Sequence, residues 1–210
     1  MKVSDLVEFR SDLFFDGAVQ LNWLDQDPQQ SKKAAESFVF HGSSFHGIKK
    51  TDTTEILGKY LKNSIQFSKE IIDIVSGNYN EFDHNPFQLA ISGYGTGKSH
   101  LAVTLATLLN DYKENASEQI LNNISKIEPE ISKEIKIQLL KNNKPNLVIG
   151  FDGMGNFEIS NLFYKKAIQQ LKKYKLDCSA IEDLSPRFQI AIDFVKNKLN
   201  QNESSETNDK

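Results

Sequence analysis

The sequence predicts an α/β fold: a phosphate-loop type of parallel sheet flanked by helices, with a mixed α/β region ahead of it. Three observations carry this. A short apolar run, Pro86–Ile91, ends in a glycine-rich turn that leads straight into an apolar helical stretch, Ser99–Leu109. A second apolar run, Leu147–Phe151, ends at Asp152. Helical patterns lie between and after these runs, and buried strands alternating with helices are the signature of a parallel sheet.

The elements follow in order. Residues 5–15 mix apolar and acidic side chains, and Ala18–Leu24 reads as a strand. Ser31–Phe38 reads as a short helix. Phe-His-Gly then occurs twice, at Phe40–Gly42 and Phe45–Gly47. His41 and His46, five apart, share no helix face and have no nearby Cys or acidic partner, so a turn against the nucleotide domain is favoured over a metal site. A base or ribose contact from this segment is the alternative. Leu57, Tyr60, Leu61, Ile65, Ser68, Ile72 and Val75 recur at helical spacing and predict one amphipathic helix over Thr54–Val75, ended by Gly77. A loop over 78–86 leads to the first strand.

Beyond the glycine-rich turn, Ile120, Leu121, Ile124 and Ile127 mark one helix. Pro129 at an early helical position, with Ile131, Ile135 and Leu139, marks the next. A turn over 142–146 precedes the second strand. Asn161–Tyr174 reads as a helix with Phe163, Ala167, Leu171 and Tyr174 inward. Ser185-Pro186 opens a last helix, with Phe188, Ala191, Val195 and Leu199 on one face. Residues 200–210 contain no apolar side chain and read as a disordered tail. The domain expectation is therefore a mixed region over 1–50, a nucleotide-binding domain over 51–200 and a tail over 201–210. Two strong strands are too few for such a sheet. Either the N-terminal region completes it, or the chain is the front part of a larger ATPase. The second is favoured, because the chain runs out in helices and a polar tail.

Composition narrows the function. The chain has 210 residues, 39% of them hydrophobic and 25% charged, with a formal net charge of −3. That balance is ordinary for a globular protein and does not suit a general polyanion binder. Of 25 basic residues only Arg10 and Arg187 are arginines, leaving few candidates for bidentate phosphate work. Cys178 is the only cysteine, so no intrachain disulfide forms. The first ten residues resemble no secretory leader, and no apolar run approaches the ~18 residues of a membrane span. The expectation is a cytoplasmic protein. Lys165, Lys166, Lys172 and Lys173, seven apart in pairs, share one helix face, and Lys175 extends the patch. A solvated face is favoured over a nucleic-acid contact there.

The chemistry concentrates in Ser92-Gly93-Tyr94-Gly95-Thr96-Gly97-Lys98-Ser99. Wrapping a triphosphate with backbone N–H groups demands close approach and unusual backbone angles, which Gly93, Gly95 and Gly97 permit. The helix that follows aims its unpaired N–H groups and positive end at the same anion. Lys98 would reach the β and γ phosphates, and the Ser99 hydroxyl would hold Mg²⁺. The usual pattern, G-x-x-x-x-G-K-[ST], has glycine where this chain has Ser92. Asp152, at the end of an apolar run, is the candidate for the Mg²⁺ water shell. Gly153 follows it, where many ATPases place Glu. His100, on the first helical turn, counts among the candidate nucleotide-binding residues, although packing is its more ordinary role.

The stretch Gly95–Ala102 resembles the Walker A region of AAA+ ATPases, particularly the helicase-loader and transposition-helper branch. Phe38–Gly47 followed by this loop is also similar to the front end of large bacterial phage-defence ATPases, such as those of BREX or phosphorothioate-linked restriction. The resemblance implies ATP and Mg²⁺ as ligands, protein partners or self-association, and DNA reached through a larger complex. The function expected is ATP binding, with hydrolysis if further sequence or a partner completes the site. A non-catalytic, nucleotide-regulated interaction module is the alternative. A small-molecule kinase is disfavoured by the shortage of arginine.

Overall fold

The computed structural model describes residues 2, 6, 11, 14–15, 17–42, 62–77, 87–110, 113–141, 146–151, 159–184 and 192–198. The chain divides into two units, Met1–Asp152 and Gly153–Lys210.

The first unit is a helical body. Its helices are α1 (Trp23–Gln26), α2 (Pro28–Ser37), α3 (Ser64–Val75), α4 (Lys98–Asn110), α5 (Asn115–Ser125) and α6 (Pro129–Lys141). Local chemistry fixes their starts. Pro28 opens α2, and the Asp27 carboxylate accepts from Gln30 N–H at 3.1 Å. Asn63 and Gln66 form a reciprocal cap on α3. That cap places the start of α3 at Ser64, ten residues beyond the expected Thr54. Residues 43–61 lie outside the described residues.

Helix α4 is central, touching α1, α2, α3 and α5. Val103, Thr104, Leu105, Ala106, Leu108 and Leu109 are all buried on it. A helix enclosed by neighbours needs no polar face, and the Thr104 and Thr107 hydroxyls instead donate to the carbonyls of His100 and Val103. Phe38, Phe40, Ile65, Ile72, Ile120, Ile124, Ile135 and Leu139 join Leu108 and Leu109 in one core. Ser132 donates to Leu121 O at 2.9 Å, fixing α6 against α5. Lys69 links α3 to α6, bonded to Asp73 at 2.5 Å and to Glu134 at 3.4 Å.

The expected parallel sheet does not form: no strand occurs among the described residues, and the fold is helical. Residues 87–91 and 146–151 have neither a helix nor a ladder. Phe87, Leu89 and Ile91 are 82–86% exposed, where a buried strand was expected. A strand exists only through the hydrogen bonds of a neighbour, and here the helices bury their apolar faces against one another. Ala18–Leu24 is likewise no strand. Residues 21–22 turn into α1, and Trp23 stacks edge-on to Phe15.

In the second unit, α7 (Ile159–Lys173) packs on α8 (Ser179–Leu184), and residues 192–198 are helical. Ala167 and Gln170 are buried, whereas Phe163 and Val195, both expected inward, are about half exposed. No described helix is long and apolar enough to cross a membrane.

Candidate phosphate-binding loop

The loop is built from the start of α4 backwards. Lys98 is the first helical residue, and the first bond of the helix runs from Leu101 N–H to Gly97 O at 2.8 Å. Gly95 and Gly97 have φ of +75° and +83°, a region that side-chain-bearing residues enter only at a cost. Gly93 has no positive φ, and a Cβ added there would sit 3.6 Å from the Thr96 side chain. The glycine requirement therefore falls on Gly95 and Gly97, not on all three.

Polar contacts hold the turn closed. Lys98 Nζ donates to Ser92 O at 2.9 Å and to Gly93 O at 2.6 Å. Thr96 Oγ1 donates to Gly93 O at 2.8 Å and lies 2.6 Å from Ser92 Oγ. Serine at the first loop position thus contributes a hydroxyl that glycine would lack. The Lys98 cation is folded back over the loop by two carbonyls of its own backbone. Ser99 stands exposed on the first turn, and Tyr94 is fully exposed.

The residues present fit a phosphate. Among the described residues no acceptor faces the backbone N–H groups of Gly95, Thr96, Gly97, Lys98 and Ser99. Unpaired donors at a helix start, beside an ammonium group, make a site for an anion. Mg²⁺ would rely on Ser99 and on the phosphate oxygens. No cluster of three or more His, Cys, Asp or Glu suited to a metal occurs among the described residues.

His100 faces the other way. Its Nε2 lies 2.6 Å from Ala34 O, on the last turn of α2, and 3.5 Å from Ser37 Oγ. Phe15 and Phe38 meet the ring edge-to-face at 5.7 and 5.0 Å. Phe38 also underlies the loop, since a Cβ on Gly97 would stand 3.9 Å from its ring. Phe15, Phe38 and Ala34 were not among the sequence candidates. Nothing in a linear pattern joins them to a glycine turn roughly sixty to eighty residues away.

Asp152 lies outside the described residues. The path towards it is described as far as Phe151. Asn146 caps α4, its N–H and Nδ2 both reaching Leu109 O at 3.2 and 3.0 Å. Val148 packs against the core, and Gly150 meets Leu24 and Leu21 of the α1 region. Trp23 of α1 touches Phe15, and Phe15 touches His100. In the second unit, Lys172 pairs with Glu182 at 2.7 Å, and Lys173 lies over the Tyr174 ring. Two lysines of the α7 face are thus already engaged.

No family model, curated protein or solved structure matches this chain.

Proposed function

We propose that the chain binds Mg-ATP through Ser92–Ser99 and couples nucleotide occupancy to a protein partner. The observation that carries this reading is the row of unpaired N–H donors from Gly95 to Ser99 beside the Lys98 ammonium. A triphosphate takes over Lys98 from the Ser92 and Gly93 carbonyls. The exchange replaces two neutral acceptors by anionic oxygens, and charge-assisted bonds are roughly twice as strong as neutral ones. Ser99 supplies the hydroxyl ligand to Mg²⁺, and the divalent ion neutralises charge on the β and γ oxygens. Gly95 and Gly97 let the backbone approach without a Cβ in the way.

In this reading Asp152, which follows the apolar run 147–151, is the carboxylate that orders the Mg²⁺ water shell. Hydrolysis needs that group as well as the loop, and Asp152→Asn separates the two functions. It leaves ATP affinity within about tenfold and removes turnover.

The deciding experiment is calorimetric titration of wild type and Lys98→Ala with Mg-ATP and Mg-GTP. Lys98 bonds only to exposed loop carbonyls, so its loss leaves the fold intact. The expected result is a loss of ATP affinity of at least about thirtyfold, roughly 2 kcal/mol. Equal affinity in a folded Lys98→Ala variant refutes the site.

A further inference from the structure

Resting on the nucleotide reading, we infer that His100 is a positioning residue: its bond to the Ala34 carbonyl mounts the phosphate loop on the last turn of α2. His100 stands two residues beyond Lys98, about 200° round the helix. Lys98 therefore reaches back over the loop while the imidazole enters the seam between α4 and α2. Nε2 donates to Ala34 O at 2.6 Å. The ring edges of Phe15 and Phe38 fix its plane, and Phe38 lies under Gly97. One side chain thus sets both the rotation of α4 about its axis and the height of the loop.

That rotation aims the donors. The N–H groups of Gly97, Lys98 and Ser99 belong to the same rigid turn as His100. Preorganised donors favour an anion only when their directions converge on it. A helix start free to roll would keep its fold and lose that convergence. The bond also runs in the direction that helix dipoles favour, since a polarised N–H meets the carbonyl end of α2. The far side of the same α2 turn is held by Asn123 of α5, whose Nδ2 donates to Glu36 O at 2.9 Å. The last turn of α2 is therefore clamped from α4 by His100 and from α5 by Asn123. Burial pushes the imidazole below its ordinary 6.5, opposed by the Ala34 bond, as befits a neutral donor.

The geometry makes the variants informative. Ser37 Oγ also donates to Ala34 O, at 2.8 Å, so removing the imidazole does not orphan that buried acceptor. His100→Leu keeps the contacts with Phe15 and Phe38 and deletes the donor. His100→Gln restores a donor at the reach of Nε2. ATP affinity is measured by calorimetry for wild type, Lys98→Ala, His100→Leu and His100→Gln, with the melting temperature of each. The expected result is about tenfold weaker binding in His100→Leu and recovery to within threefold of wild type in His100→Gln.

Wild-type affinity in His100→Leu, or equal weakening in both variants, overturns the positioning role. A folded wild type that does not bind ATP overturns the nucleotide reading and this inference with it. Loss of binding in Lys98→Ala with none in His100→Leu overturns this inference alone. Should His100→Leu fail to fold, wild type itself carries the test. Coupling is reciprocal, so saturating Mg-ATP should slow amide exchange at Phe38, whose N–H donates to Ala35 O. Unchanged exchange there overturns the link between loop and α2.

Discussion

The helical body of the first unit and its two irregular segments, 87–91 and 146–151, obey different rules. In the body, the helices share one buried apolar core, although Ile137 and Leu140 of α6 stand about half exposed. Ile65, Ile72, Leu108, Ile120, Ile124 and Ile135 are fully buried. In residues 87–91, side chains of the same kind stand in water, Leu89 at 82% and Ile91 at 84%. Residues 146–151 lie between these extremes, with Val148 against the core and Leu147 about half exposed. Apolar character therefore does not by itself decide burial. A helix closes its own backbone hydrogen bonds and needs only a surface to lie on. A strand needs a neighbour at the right register before burial can begin.

The largest effect expected from this contrast is on stability. Ile72→Ala removes a fully buried side chain from the α3 face of the core. It should cost about 2–5 kcal/mol. Leu89→Ala, a change of similar size at an exposed position, should stay within about 0.5 kcal/mol. Urea denaturation of both variants measures the difference directly. Comparable losses would mean that residues 87–91 are buried in solution and that the contrast is false.

That comparison also shows why the helices were legible and the sheet was not. Ile65, Ser68 and Ile72 announce α3 through spacing alone, and spacing is a property of one helix. Pro129 and the isoleucines after it announce α6 in the same way. The runs 87–91 and 147–151 carry the composition of strands, but composition does not supply a partner. The start of α3 shows a smaller failure. Leu57, Tyr60 and Leu61 continue the apolar period, yet Asn63 caps the helix and resets its start. The glycine-rich turn into α4 was legible because its signal is local, with glycines, lysine and serine on eight consecutive residues. The contact of His100 with Ala34 and Phe38 was not legible, because these residues meet only after α2 and α4 have packed.

A second test sharpens the contrast through glycine. Gly42 lies where the body is tight: a Cβ there would approach Ile127 Cγ2 to 2.6 Å and Glu128 Oε1 to 3.0 Å. Gly42→Ala should cost about 1–3 kcal/mol. Gly97→Ala meets no clash but must hold a positive φ, at a cost of about 1–2 kcal/mol. Gly93→Ala meets neither obstacle and should be nearly neutral. The order Gly42, Gly97, Gly93 in melting temperature is the expected outcome, and a Gly93 variant as damaging as Gly42 would contradict the loop geometry.

A third test concerns the α3 start. Asn63 is buried, accepts from Gln66 N–H at 2.8 Å, and completes its cap through Gln66 Oε1 at 3.4 Å. Asn63→Ala should lower stability by about 1 kcal/mol, read as a shift of the urea midpoint. An unchanged midpoint would mean that the helix starts earlier, as the apolar period over 57–61 suggests.

The smallest effect expected is a dependence on pH carried by one ring at the seam of loop and body. Burial holds the His100 pKa below 6.5 in the folded chain, with the Ala34 bond opposing. As pH falls below 6.5, the unfolded chain takes up this proton first, so it binds more protons than the folded one. Stability attributable to His100 therefore declines from pH 6.5 down to the folded pKa and is level below it. His100→Gln carries no such proton, whereas the other histidines and every carboxylate are common to both proteins. The urea midpoint of wild type minus that of His100→Gln should consequently shrink between pH 7.5 and pH 5.5. A constant difference would place the ring in water, detached from α2. A difference that grew on acidification would mean that the folded state prefers the imidazolium, with the carbonyl end of α2 outweighing burial.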